Sequence, residues 1–422
     1  MYKNDLDFAQ SLDKADPLKA YRSRFFIPKT HEKEVVYFCG NSLGLQPKTV
    51  KNHIDIELED WANMGVEGHF EGRNPWFGYH KQFEGPVSRL VGALPHEVVV
   101  MNALTVNLHL LMASFYNPTP DRYKILIEGS AFPSDYYAVE SQIRNHGYNP
   151  ESSLIEVIPR EGELIIRIED LVDVIKKEGK SIALILIGGV NYYTGQAFDM
   201  EAITKAGHEF GCMVGFDLAH ATGNLKMKLH DWDVDFAAWC GYKYLNSGPG
   251  GVSGVFIHEK WANSPEHPRL AGWWGYKESD RFKMEKGFKP EYGAAGWQLS
   301  NAQILPMAAH KASLEIFDEV GIDALQKKSD QLTGYLEFLL MERMNKQEEK
   351  NFTIITPTDP KQRGAQISLL ALKNGKELFN KLTSNHIIAD WREPNVIRVA
   401  PVPLYNTFEE VYRFVEVLFD KI

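Results

Sequence analysis

Between about Pro95 and Lys260, short apolar runs alternate with stretches of helical spacing, and this alternation restricts the fold more than any other feature of the chain. The runs are VVVM (98–101), YKILIE (123–128), SIALILIGG (181–189), CMVGF (212–216), DFAAWC (235–240) and GVFIHE (254–259). Several are apolar at consecutive positions, so both faces of each strand need cover, as in a sheet sandwiched by helices. LTVNLHLLMASFY and DMEAITKAGHEFG, lying between runs, read as helices. Strand–helix alternation predicts an α/β domain with a mainly parallel sheet covered by helices.

The flanks read differently. DLDFAQSLDKADPLKAYRSRFF has helical spacing that puts Leu12, Leu18 and Phe25 or Phe26 on one face. IDIELEDWANM reads as an amphipathic helix. Gly65 to Pro86 reads as a long loop rich in glycine and aromatics, and loops that long are more often functional than idle. After about 300, two long helical stretches, then ISLLAL, VIRVA and TFEEVYRFVEVLF, predict a smaller α+β domain. Thr407 with Glu410 forms a capping box for the last helix. The expected division is an N-terminal segment, 1–65, packing with the small domain, a large domain, 66–305, and a small C-terminal domain, 306–422.

Composition excludes some partners. With 46 Lys and Arg against 56 Asp and Glu, the net charge of −10 repels phosphate backbones, so no nucleic acid is expected. A local basic pocket for a small anion is still compatible with that charge. Cys39, Cys212 and Cys240 form no CxxC or Cys/His cluster of zinc spacing, and no metal is expected. So few cysteines, and an odd number, fit buried thiols in a reducing compartment. MYKNDLDFAQ lacks the apolar core of a secretory signal. No stretch approaches the roughly 20 apolar residues of a membrane helix. The expected location is cytoplasmic.

In an open α/β sheet, ligands sit beyond the carboxyl ends of the strands. The apolar runs are followed there by NALTVN, GSAFPSD, VNYYTG, Asp217 in FDLAHA, and GYKYLNSGPGG. Asp217 directly follows CMVGF, and His220 lies three residues on. Lys243 lies just past the next strand, 26 residues after Asp217. An aspartate and a lysine at neighbouring strand ends suit a pyridine-aldehyde cofactor. The carboxylate pairs with the protonated ring nitrogen, and the amine forms an imine. Either residue alone is better read blandly, as a helix cap or a solvated lysine. Both together, in this order, favour chemistry.

Other signals are weak singly. Thr105 lies near a helix start, where free N–H groups and a hydroxyl make a phosphate site, though ordinary capping is commoner. SGPGG (247–251) approaches an anion or is a plain turn. Phe132 stacks on a flat ring or joins the core, its commoner fate. Tyr242, beside the lysine, bonds a phosphate or relays protons. Arg398, in VIRVA, clamps a carboxylate or sits on the surface.

With Asp217, His220 and Lys243 in place, nearly the whole chain resembles the kynureninase family, pyridoxal-phosphate enzymes of the aspartate-aminotransferase-like group (fold type I). The resemblance is carried by NSLGLQPK (41–48), NALTVNLHLLM (102–112), AFPSD (131–135), GFDLAHA (215–221), GYKYLN (241–246), LAGWWG (270–275) and IRVAPVPLYN (397–406). GFDLAHA and GYKYLN at this spacing are the specific part. A bare Asp and Lys would indicate only the wider group.

The resemblance implies roles by position. Lys243 would form the imine and move the α-proton, Asp217 would pair the ring nitrogen, and Tyr242 would reach the phosphate and relay protons. Leu104, Thr105, Phe132, Pro133, Ser134, Asp135, His220, Trp273 and Asn301 match cofactor-contacting positions, with Phe132 stacked on the ring. Arg398 matches the position that binds the substrate carboxylate. His69, Ser42, Ser300 and Asn301 match positions around the substrate's aromatic ring. This set is more like the eukaryotic-type members, which implies tolerance of 3-hydroxy-L-kynurenine beside L-kynurenine. The chain departs from the family at Gly188, where the family has a serine, so that contact would fall to backbone or water. The family further implies a homodimer with active sites at the interface. In it His69, Trp273 and Asn301 would serve the partner's site. It also implies a role in tryptophan breakdown or the synthesis of NAD precursors.

Three rivals stand beside this reading. An aminotransferase or a desulfurase shares the group, but a desulfurase needs a mobile nucleophilic cysteine, and Cys39, Cys212 and Cys240 lie in or beside apolar runs. A nucleotide-binding protein would show GxGxxG or a P-loop after the first strand, which this chain lacks. A non-catalytic relative would not need the Asp217–Lys243 pair.

Overall fold

A computed structural model describes residues 2–347 and 349–420. Seven strands form one sheet: β1 (Val98–Val100), β2 (Lys124–Glu128), β3 (Leu154–Val157), β4 (Ile182–Gly188), β5 (Met213–Asp217), β6 (Phe236–Cys240) and β7 (Ser253–Ile257). Their order is β1-β7-β6-β5-β4-β2-β3. β6, β5, β4, β2 and β3 run parallel, and β7 is antiparallel to both its neighbours. Each apolar run of the sequence is one of these strands. β3 is the strand the pattern did not reveal. It lies at the sheet edge, only its Val157 is buried, and a half-exposed edge needs no continuous apolar run.

Alternation explains the double cover. Ile185 and Ile187 of β4 enter one apolar core with Val214 and Phe216. Leu184 and Leu186 enter a second, on the opposite face, with Ile125 and Ile127. Successive side chains of a strand point to opposite faces, so a run apolar at every position feeds both layers. Helices α3 (Leu104–Phe115) and α4 (Pro133–Asn145) close the second core, while α5 (Ile168–Glu178) and α6 (Met200–Glu209) close the first.

The C-terminal part builds a four-stranded antiparallel sheet: β8 (Phe352–Ile354), β9 (Ile367–Ala371), β10 (Asp390–Arg392) and β11 (Val396–Val399), in the order β8-β9-β11-β10. The central pair are the expected ISLLAL and VIRVA. Helix α7 (Ile304–Val320) buries Met307, Leu314, Ile316 and Phe317 in the first core. α8 (Ile322–Met344) carries Leu325 into that core and Leu332, Tyr335 and Leu336 into a third, around the C-terminal sheet. The final helix, α9 (Phe408–Phe419), starts at the expected capping box of Thr407 and Glu410.

Two readings of the N-terminal part need correction. The first helix stops early: α1 is Leu6–Ala15, and Pro17 lies between it and a separate turn, Lys19–Arg24. Leu12 therefore packs on the third core, while Leu18 and Phe25 enter the first, and Phe26 is exposed. The Asp13 carboxylate of α1 accepts the Phe408 and Glu409 N–H groups, tying the segment to α9. Helix α2 (Val50–Met64) is amphipathic in the reverse sense, burying Glu57 and Asp60 while Leu58, Trp61 and Met64 face outward. Glu57 accepts from Asn74, Trp76 and Tyr79, and Asp60 from Arg73. These bonds shape the expected loop after Gly65 into short helical turns, Gly65–Glu67, Gly68–Glu71 and Trp76–Phe83.

Candidate active site

The carboxyl ends of the parallel strands converge on a cavity of about 260 Å³. Asp217 closes β5, and its Cα partner Gly188 closes β4. Tyr242 and Lys243 follow β6. A close backbone approach holds that turn in place: Gly44 donates its N–H to Tyr242 O at 2.8 Å, and a Cβ on Gly44 would stand 2.3 Å from Lys243 O. The NSLG segment thus backs the lysine turn, and only glycine fits there.

Lys243 Nζ lies 2.9 Å from His220 Nε2. Burial, then the charge of Lys243, holds His220 well below its ordinary pKa, so the neutral ring accepts from the amine. His220 Nδ1 is buried without a partner. Asp217 accepts the Ala219 N–H at 2.7 Å. Asp135, at the start of α4, is hydrogen-bonded to Asp217, and burial followed by the charge of Asp217 raises its pKa well above the ordinary value. Burial raises Asp217 as well, though the Ala219 N–H, Asp135 and Lys243 all favour its charged form. Burial also raises the Tyr242 hydroxyl, which stays protonated.

Thr105 Oγ1 and Ser134 Oγ meet at 2.7 Å. Each belongs to the first turn of a helix, α3 or α4, and neither helix has a side-chain cap. Thr105 is thus no N-cap. The two helix starts leave backbone N–H groups free beside the cavity, a pattern suited to a phosphate. Phe132 is 40% exposed, its ring centroid 5.7 Å from Lys243 Nζ, so it is a cavity wall and not a core aromatic. SGPGG does not line the cavity; Gly251 N–H bonds back to Gly248 O, as in a turn.

The cavity gathers Leu104, Thr105, Phe132, Ser134, Asp135, Asp217, His220, Tyr242 and Lys243. The remaining expected positions lie outside it. Pro133 is the first residue of α4, between Phe132 and Ser134. Arg398 is 1% exposed behind Tyr192; Nε and Nη2 lie 3.1 and 3.0 Å from Asp390 Oδ1, and Nη1 donates to Tyr192 O at 2.6 Å. It is no surface arginine, being fixed across the β10–β11 pair. Ser42 sits in the segment that backs Lys243. His69 bonds to Val66 O and packs edge-on against Trp76. Trp273, Ser300 and Asn301 are exposed away from the cavity.

Glu128 and Tyr192 also line the cavity and were not singled out from the sequence. Glu128 had a signal: it is an acid directly after the apolar run Ile125–Ile127. A larger cavity of about 610 Å³, lined by Arg167, Lys226, Lys361 and Arg363 among others, holds none of the residues around Lys243. Glu97, His230 and His258 cluster at the other end of the strands, by the start of β6. There Glu97 is satisfied by Leu94 N–H, Glu259 N–H and His230, which gives the cluster a structural role.

An ionisable aspartate, an amine one strand away, an open aromatic wall and an anion cradle fit pyridoxal phosphate, and the orphaned His220 Nδ1 leaves a polar group for a ligand to meet. The chain superposes on an apo cysteine desulfurase from Thermococcus onnurineus NA1 with a TM-score of 0.74 at 18% identity, over 95% of this chain and 97% of that one. It superposes equally, with a TM-score of 0.74 at 16% identity over 93% and 99%, on a C-DES mutant with glycine covalently linked to its PLP cofactor. The fold is therefore the aspartate-aminotransferase-like fold, fold type I. Within it, residues 325–418 match the kynureninase C-terminal domain. The chain is 54% identical to a kynureninase of Flavobacterium psychrophilum over 99% of this chain and 98% of that protein. It is 48% identical to a kynureninase of Homo sapiens over 99% and 93%. The chain belongs to the kynureninase family.

Proposed function

We propose that this protein is a pyridoxal-phosphate-dependent hydrolase of carbon–carbon bonds in ketonic substances. Its substrate would be L-kynurenine, cleaved to anthranilate and L-alanine, with 3-hydroxy-L-kynurenine cleaved in the same way. The reading rests on family membership and on one observation, the Asp217–Lys243 pair at adjacent strand ends inside a cavity walled by Phe132. The cofactor, when bound, supplies an electron sink. Lys243 would hold its aldehyde and, once displaced by substrate, move the proton at the substrate's α-carbon. Asp217 would pair with the ring nitrogen, Phe132 would stack on the ring, and Thr105, Ser134 and the helix starts would hold the phosphate. Tyr242, kept protonated by burial, would deliver a proton to the leaving β-carbon. Arg398, oriented by Asp390 and Tyr192 O, would bind the substrate carboxylate.

All three cysteines are buried, and burial raises the thiols, Cys39 to about 12. That disfavours the desulfurase reading, because the thiolate is the nucleophile. Unpaired buried thiols also support a reducing, cytoplasmic setting.

A homodimer is supported by the outward apolar face of Leu58, Trp61, Val66, Phe70 and Leu305, with a groove between Trp61 and Ile304. In such a dimer Trp273, Ser300, Asn301 and His69 would complete the partner's site. The experiment is direct. The purified protein should show a visible band removed by borohydride, and should release fluorescent anthranilate from L-kynurenine. A borohydride-sensitive band with amino-group transfer and no anthranilate would overturn the assignment.

A further inference from the structure

Glu128 ends β2, two strands from Asp217, with Gly188 of β4 between them. Gly188 N–H lies 3.2 Å from Glu128 Oε1 and 3.1 Å from Oε2. A Cβ on Gly188 would stand 2.7 Å from Oε1, so the Glu128 carboxyl occupies the space of a side chain at 188. Gly188 is the Cα partner of Asp217, and partners on neighbouring strands direct their side chains to the same side of the sheet. The Glu128 carboxyl therefore stands on the Asp217 side, is 4% exposed, and lines the same cavity.

We infer that Glu128 is a positioning residue for the cofactor ring: through the gap left by Gly188 it stands beside Asp217, and its own charge sets how much negative charge faces the ring nitrogen. The inference rests on the pyridoxal-phosphate reading of the cavity. The titratable groups that share the cavity wall with Glu128 are Asp217 of β5, Asp135 of α4, His220 after β5, and Tyr242 and Lys243 after β6. Burial, and more weakly Asp217, raise Glu128 to about 7. Below that pH Glu128 is a neutral acid and Asp217 acts alone. Above it a second negative charge favours the protonated form of the lysine-bound cofactor.

The test compares holoenzymes by the pH titration of the visible cofactor band. Wild type should show an inflection near neutral pH that Glu128→Gln lacks. In that variant the protonated form of the band should also be lost about half to one pH unit lower. Gly188→Ser keeps the acid but pushes it from Asp217, and should lose the same inflection, so it carries the test if Glu128→Gln does not hold the cofactor. Superimposable titrations in holoenzymes that retain a borohydride-reducible band would overturn the role of Glu128 alone. A wild type with no such band would remove the cofactor reading itself.

Discussion

Lys243 Nζ donates to His220 Nε2 across 2.9 Å, and the histidine is buried and neutral, so it orients the amine without taking its proton. His220→Ala removes that acceptor while leaving the amine in place. The variant should keep the borohydride-reducible band and lose turnover by about 10- to 100-fold through misorientation. Lys243→Ala should lose both the band and turnover. Near-normal turnover in Lys243→Ala would sink the scheme. Loss of the band in His220→Ala would make the histidine a cofactor-holding group instead.

Arg398 is held by Asp390 and by the carbonyl of Tyr192. Arg398→Lys keeps the charge and loses the planar fork. KM for L-kynurenine should rise about 10- to 100-fold, with kcat moving less, as for loss of uniform substrate binding. Asp390→Asn should move KM the same way by a smaller factor. A fall in kcat at constant KM would assign Arg398 to the chemical step.

Acid should weaken the fold through its buried histidines. Burial lowers His310 to about 3 and His80 to about 4. Unfolded, each binds a proton below about pH 6.5, while the folded ring resists it until its lowered pKa is reached. Between those values the unfolded state holds more protons, so stability falls as pH drops. At pH 5 a single such histidine costs about 2 kcal/mol relative to neutral pH. His310→Leu should flatten the Tm-versus-pH curve between pH 6.5 and 4. A slope identical to wild type would show that other groups govern acid sensitivity.

Trp61 is 62% exposed on a helix whose inner face is occupied by Glu57 and Asp60. Trp61→Glu places a charge in the centre of the apolar face. Light scattering should show wild type at twice the chain mass and the variant shifted toward the monomer, with activity falling as the partner's residues are withdrawn. A variant that remains fully dimeric would place the interface elsewhere.

The parallel sheet was legible because burial on both faces demands apolar residues at successive positions, and the ends of such strands then name their own polar groups. Asp217 and Lys243 were singled out in that way, with His220 and Tyr242 as their near neighbours in the chain, and the family resemblance implied their roles. The capping box at Thr407 and Glu410 was equally local. Other features had no local signature. Leu12 and Leu18 share a helical period but lie on either side of Pro17, and they pack into different cores. α2 shows an amphipathic pattern, yet which face turns inward was settled by the hydrogen-bond donors of Arg73, Trp76 and Tyr79 meeting Glu57 and Asp60. Glu128 reads as the end of a strand until Gly188 and Asp217 stand beside it.

What the sequence by itself determined was therefore the apolar strands of the large sheet, their polar ends and the family, since these depend on short-range periodicity and motifs. Only the tertiary structure decided which acids meet beside Lys243, which carboxyl fills the gap at Gly188, and which residues remain outside the cavity. Those outcomes depend on burial and on distances between groups far apart in the chain, and a periodic pattern carries neither.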